Sequence, residues 1–107
     1  MIDLVDIIKN FHKKGNVFAD NDMLAEYNDN LNMGEHWIFR CNEHYGASVI
    51  FNPGSKGVEA GLFELAVLEF NGDYYKLTYN TPITDDVIGY LDKEGVETIL
   101  EEIKELA

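Results

Sequence analysis

The stretch from Gly61 to Asn80, GLFELAVLEFNGDYYKLTYN, constrains this chain more than any other. Two strand-like runs flank Asn71-Gly72, a dipeptide favoured in tight hairpins. Both central residues of a type I′ turn need positive φ, which Asn tolerates and Gly adopts without steric cost. The first run, Leu62 to Phe70, is apolar on both faces, with Phe63, Leu65 and Val67 alternating against Leu62, Ala66, Leu68 and Phe70. Such a run is expected of an interior strand covered, at least in part, on both sides. The second run sets Tyr75, Leu77 and Tyr79 against Tyr74, Lys76, Thr78 and Asn80, which predicts one buried and one wet face.

The flanking segments supply the rest of a single α+β domain over residues 1–107. Ile2 to Lys14 reads as a helix, since Met1, Leu4, Val5, Ile8 and Phe11 recur at helical spacing with Ile7 beside them. Asp3 and Asp6 suit its N-terminus, Lys13 and Lys14 its C-terminus, and Gly15 the left-handed residue that ends it. Asp20 or Asn21 is a candidate cap for a short helix over Asp22–Tyr27, with Met23, Leu24 and Tyr27 facing inward. A polar loop follows through Asn28, Asp29, Asn30 and Asn32. Glu35 to Pro53 alternates as a second hairpin turning near Glu43–Gly46, and Gly54 to Gly61 is expected to be a mobile loop between the two hairpins. Beyond Thr81-Pro82 lies a turn at Thr84-Asp85-Asp86, a short apolar segment Val87–Leu91, and a last helix Lys93–Leu106 capped by Asp92. Its apolar stripe is Val96, Ile99, Leu100, Ile103 and Leu106. The architecture expected is a four-stranded antiparallel sheet of two hairpins, with an N-terminal and a C-terminal helix packed on one face.

Composition narrows the function classes. Hydrophobic residues make up 46% of the chain, enough for a core. No apolar run reaches the 18 residues a membrane helix needs, and the N-terminus has acids before bases, the reverse of a secretory signal. A lone cysteine, Cys41, allows no internal disulfide and suits a reducing cytoplasm. Twenty acids against eight Lys and Arg give a net charge of −12. Direct nucleic-acid binding and adsorption to an anionic membrane are thereby disfavoured, and a basic protein partner is favoured.

No catalytic or cofactor constellation emerges. Cys41, His44 and His36 fall within nine residues, but His36 starts a strand and His44 lies at its far turn, roughly 20 Å away at ~3.3 Å per residue, so no zinc site is expected. Cys41 shares a strand face with Trp37 and Phe39, the setting of a buried, inert thiol. His12 borders the apolar stripe of its helix and reads as a packing or capping residue. Pro53-Gly54-Ser55-Lys56-Gly57 holds the letters of a phosphate loop in the wrong order and is followed by a strand rather than a helix.

The last helix carries the strongest functional signal. At about 100° per residue, Glu94, Glu97, Glu101 and Glu105 line the side opposite the apolar stripe. Glu97, Glu101 and Glu105 repeat at i,i+4, so like charges stand close and repel. Asp85, Asp86 and Asp92 extend the acidity, and eight of the twenty acids follow Pro82. Such a ridge suits a basic groove of the kind that holds DNA or RNA; an ordinary solvated helix face is the alternative.

From Tyr45 onward the wording YGASVIF, GLFELAVLEFNGDYYKLTYN and TPITDDVIGYL, followed by an acidic terminal helix, resembles small proteins encoded by phages and prophages of Gram-positive bacteria. The resemblance covers about Trp37 to Leu106. It implies a phage setting in a host cytoplasm, draws notice to Thr84, Asp85, Asp86 and Tyr90, and carries no activity or site residues with it. The expectation is a non-enzymatic accessory or counter-defence protein, of anti-CRISPR type, that occupies a host nucleic-acid enzyme through acidic side chains. Two other readings stay open: a small ligand- or nucleotide-binding domain or minor enzyme built on the Gly54–Gly61 loop, and an assembly protein, most simply a homodimer joined through a sheet edge or an exposed aromatic face.

Overall fold

The computed structural model describes residues 3–30 and 34–107, so the expected roles of Met1, Ile2 and Asn32 lie outside the described residues. In chain order the elements are α1 (Leu4–His12), β1 (Leu24–Asn30), β2 (Gly34–Arg40), β3 (Tyr45–Phe51), a single 3-10 turn (Val58–Ala60), β4 (Phe63–Asn71), β5 (Tyr74–Leu77), β6 (Ile88–Leu91) and α2 (Lys93–Lys104). The α+β class is as expected. The sheet is larger than the four strands expected, because β1 and β6 join the two hairpins. Strands run β1-β2-β3-β4-β5, every pair antiparallel. β3 occupies one edge of β4 from Glu64 to Glu69, so β6, opposite Phe63 and Leu65, shares the other edge with β5, opposite Leu68 to Asn71.

Both additions have a physical cause. The short helix expected over Asp22–Tyr27 is replaced by turns leading into β1. Leu24 and Tyr27 do face the core, three residues apart as a helix would place them. A β-bulge between Leu24 and Glu26 produces that spacing: Leu24 stands opposite Phe39, Glu26 opposite Ile38 and Tyr27 opposite Trp37, leaving Ala25 extra. Asn28, Asp29 and Asn30, expected in a loop, continue the strand as its exposed edge. β6 is four residues long and carries Gly89 and a Tyr90 at φ 56°, so it offers no periodicity to read.

The helices pack on one face of the sheet. Ile8 and Phe11 of α1 and Val96, Leu100 and Ile103 of α2 meet Trp37, Phe39, Ala47, Val49, Phe51, Phe63, Leu65 and Val67. Leu4 and Ile7 support this contact, whereas Val5, expected in the stripe, is 55% exposed. Phe63 sits at the centre of an aromatic cluster, its ring 5.2–5.8 Å from those of Phe18, Phe11, Trp37 and Phe51. Edge-to-face and tilted pairs at this spacing add ~0.5–1.5 kcal/mol each beyond the area they bury. The Trp37 indole N–H is satisfied by Asn16 Oδ1 at 2.8 Å.

β4 is two-sided, as its sequence requires: Leu68 and Phe70 turn away from the helices and pack with Ile38. β5 departs from expectation. Its turn is one residue later than Asn71-Gly72, because Asn71 pairs with Tyr74 and leaves Gly72-Asp73 central. Only Gly72 there has positive φ (64°), as in a type II′ turn. Tyr75, Leu77 and Tyr79, expected to be buried, are all exposed, since α1 and α2 both pack on the opposite side of the sheet. The Gly54–Gly61 segment is folded rather than open. Ser55 and Val58 are buried, the Lys56 amide donates to Glu64 Oε1 at 2.8 Å, and the Tyr90 amide donates to the Lys56 carbonyl at 3.1 Å.

One side chain ties the last helix down. Asn42, in the β2–β3 turn, accepts from the His44 and Tyr45 amides through Oδ1, both at 2.8 Å. Its Nδ2 donates to the carbonyls of Ile103, Lys104 and Leu106 at 3.1–3.3 Å. Carbonyls at a helix C-terminus have no intrahelical partner, so Asn42 caps α2 from across the structure. Replacing Asn42 with Ala removes both sets of bonds at once. We expect a loss of about 1–3 kcal/mol in urea unfolding, with amide exchange accelerating first in the last turn of α2. Unchanged exchange there would show that Asn42 does not hold the helix end.

Candidate acidic interface

α2 buries Val96, Leu100 and Ile103 completely, and this fixes which way its acids point. Asp92 caps the N-terminus as expected, accepting from the Gly95 amide at 2.7 Å. Glu94, Glu101, Glu102 and Glu105 are exposed; Glu97 is half-buried and stands 4.0 Å from Lys93 one turn earlier.

The α1–β1 connection brings further acids to this helix. Asn16 Oδ1 accepts from the Phe18 amide at 3.1 Å as well as from Trp37, anchoring Phe18 in the core. Asn21 Oδ1 accepts from the Met23 amide at 2.9 Å, and the Arg40 amide donates to the Met23 carbonyl at 2.8 Å. Asp20 and Asp22 therefore flank a fixed turn. With Asn21, Met23, Glu97, Glu101 and Lys104 they line an open hollow of about 260 Å³. Four acids and Lys104 line it, with Lys93 beside Glu97, so the hollow carries a net negative charge suited to a cationic guest.

Of the seven acids assigned to the ridge from the sequence, the fold brings Glu97 and Glu101 together in this hollow, while Asp92 caps α2. Glu94 and Glu105 stay on the exposed part of α2 and do not line it. Asp85 and Asp86 lie in the turn before β6 and do not line the hollow either. Their own geometry is that of a turn: the Asp86 amide donates to Thr84 Oγ1 at 3.1 Å and the Val87 amide to Asp86 Oδ1 at 2.7 Å. Asp20 and Asp22 were not among those seven. Their acidity was legible, but only the fold of the α1–β1 connection places them beside α2.

A second polar group sits under the end of α1. Glu35 is only 3% exposed and accepts a hydrogen bond from the Tyr27 hydroxyl. Asp29 is its cross-strand neighbour, and His12 Nδ1 lies 3.8 Å from Asp29 Oδ2. Burial pushes the Glu35 carboxyl above the usual range, with Asp29 adding to the effect and the Tyr27 hydroxyl and His12 opposing it. Burial, then the bond to Glu35, pushes the Tyr27 phenol up as well.

Among the described residues, no three His, Cys, Asp or Glu side chains converge as a metal would require. His36 lies on the open face, within 2.7 Å of Ser48 Oγ, while Cys41 lies against the helices. Burial pushes the Cys41 thiol up to about 12 and lowers the His36 pKa. At neutral pH Cys41 is therefore a protonated, shielded thiol and a poor nucleophile. Comparison with family models, curated proteins and solved structures finds no match for this chain.

The raised Glu35 pKa has a defined sign. A carboxyl that holds its proton more tightly when folded stabilises the fold below its unfolded pKa of about 4.3, and that stabilisation is lost as pH rises through the folded value. Glu35→Gln keeps an acceptor for Tyr27 and cannot ionise. The stability of wild type relative to this variant should fall as pH is raised from 4 to 7, read from urea midpoints. The His36 contribution is common to both proteins and cancels. A difference that stays flat or rises with pH would contradict burial as the dominant influence on Glu35.

Proposed function

We propose that this chain is a non-enzymatic protein-binding module that presents carboxylates to the basic groove of a nucleic-acid-binding protein. The setting is a phage accessory or counter-defence role. The observation that carries this reading is the grouping of Asp20 and Asp22 with Glu97 and Glu101 around one hollow, beside the exposed acids of α2. Acids from two distant parts of the chain meet there, and their mutual repulsion adds nothing to the fold. A basic groove built for phosphates would relieve that repulsion by pairing each carboxylate with a cation. Exposed ion pairs contribute only ~0.2–1 kcal/mol each, so several must act together. Such an interface associates quickly and weakens with salt.

The fold suits this role. The acidic helix rests on a buried apolar stripe and a capped C-terminus, so the backbone that carries its carboxylates is fixed before a partner arrives, which lowers the ordering cost of binding.

The test is affinity capture from a bacterial lysate, with duplex DNA as competitor. Wild type should retain a nucleic-acid-binding protein and release it when duplex is added. The variant Asp20→Asn, Asp22→Asn, Glu97→Gln, Glu101→Gln should bind that protein about tenfold or more weakly, as expected from four pairs of ~0.5 kcal/mol, while melting as wild type does. Equal retention by the variant, or capture that duplex DNA leaves untouched, would contradict the reading.

A further inference from the structure

β5 is the second surface of interest, and its chemistry is the opposite of the acidic hollow. Tyr74 is 85% exposed, Leu77 51% and Tyr75 45%, with Tyr79 just beyond the strand also exposed. Between Tyr74 and Ile83 the chain carries no carboxylate and a single cation, Lys76; all twenty acids lie elsewhere. In a molecule of net charge −12, such a stretch puts little negative charge of its own in the way of a second copy.

The backbone of β5 is ready for such an approach. β5 ends the main strand order, and among the described residues nothing pairs with its outer edge. The Thr78 amide donates to the Val67 carbonyl at 3.0 Å, which sets the phase of the strand. Tyr74, Lys76 and Thr78 turn their main-chain groups toward β4; Tyr75 and Leu77 turn theirs outward. Exposed edges are usually blunted by charge, proline or a bulge, because they template pairing with another chain. β5 has one lysine, which stands across from Glu69 of its own chain, and neither of the other two devices.

We propose that two copies of this chain pair antiparallel through β5, joining their sheets across a two-fold axis centred on Tyr75. A two-fold that makes one continuous sheet sets one residue opposite itself. Centring on Lys76 would set two ammonium groups face to face, and centring on Leu77 would run past the end of the strand. Centring on Tyr75 lets the two Tyr75 residues exchange both main-chain hydrogen bonds. It also sets each Lys76 opposite the Tyr74 of the other copy, a cation–aromatic pair. The acidic hollow does not contribute to this interface, so dimerisation and partner binding are independent.

Sedimentation equilibrium of the full chain across the micromolar-to-millimolar range tests the pairing. Wild type should show reversible dimerisation that strengthens with salt, as screening weakens the repulsion between acidic protomers. Tyr75→Lys should be monomeric throughout with an unchanged far-UV spectrum. Register is read by cross-linking. In a hydrogen-bonded antiparallel pair the Cα atoms are about 5.5 Å apart, within reach of a disulfide. Tyr75→Cys should therefore oxidise to a covalent dimer, and Lys76→Cys, offset along the strand, should not; the native Cys41 is buried. A monomer at all concentrations, a dimer that survives Tyr75→Lys, or cross-linking at position 76 as efficient as at 75 would each overturn the proposal.

Discussion

The double-sided burial of β4 is the constraint on which the rest depends. Phe63, Leu65 and Val67 face the helices, Leu68 and Phe70 face the other way, and the strand pairs with β3, β5 and β6. On the helix side the aromatic rings around Phe63 connect α1, β2, β3 and the α1–β1 connection into one cluster. On the other side only Ile38 and its neighbours share the burial, and Arg40 lies over the Phe70 ring at 4.5 Å. With both helices committed to one face, the far edge of the sheet is left to β5, whose aromatic side chains stay in solvent.

That asymmetry separates two kinds of surface. α2 can carry acids at i,i+4 spacing because tertiary packing, rather than side-chain pairing along the helix, holds it together. Each like-charge pair costs only a few tenths of a kcal/mol, less than the burial of one of its three core residues provides. Asn42 fixes the end of the helix, and Asn16 and Asn21 fix the turn that carries Asp20 and Asp22. Three asparagines and the Asp92 cap thus do the positioning, and the carboxylates of Asp20, Asp22 and Glu101 take no part in it. β5 is held by β4 on one side only, and its stretch contains no carboxylate.

Much of the fold was legible, and the failures have identifiable causes. Periodicity located α1, α2, the β2–β3 hairpin and β4, because those elements bury one face or two in regular order, and the turn signal at Asn71-Gly72 located β5. It failed at β1, where a bulge gives Leu24 and Tyr27 the spacing of a helix, and at β6, too short and too irregular around Gly89 and Tyr90 to show a period. Alternation along β5 was real but said nothing about whether anything covers it; that depends on where the helices go. The acids of α2 were visible as a face. Their meeting with Asp20 and Asp22, and the capping by Asn42, are long-range contacts between residues that look like ordinary turn formers in sequence.

The central claim is this division of charge between an acidic surface and an acid-free edge. It can be measured without a partner, by comparing the paramagnetic relaxation that cationic and anionic nitroxide probes induce in backbone amide protons. The account predicts the most negative near-surface potential at Asp20–Met23 and along the exposed side of α2, and a markedly less negative one from Tyr74 to Tyr79. A uniform potential over the two surfaces, or one more negative at β5 than at α2, would contradict it.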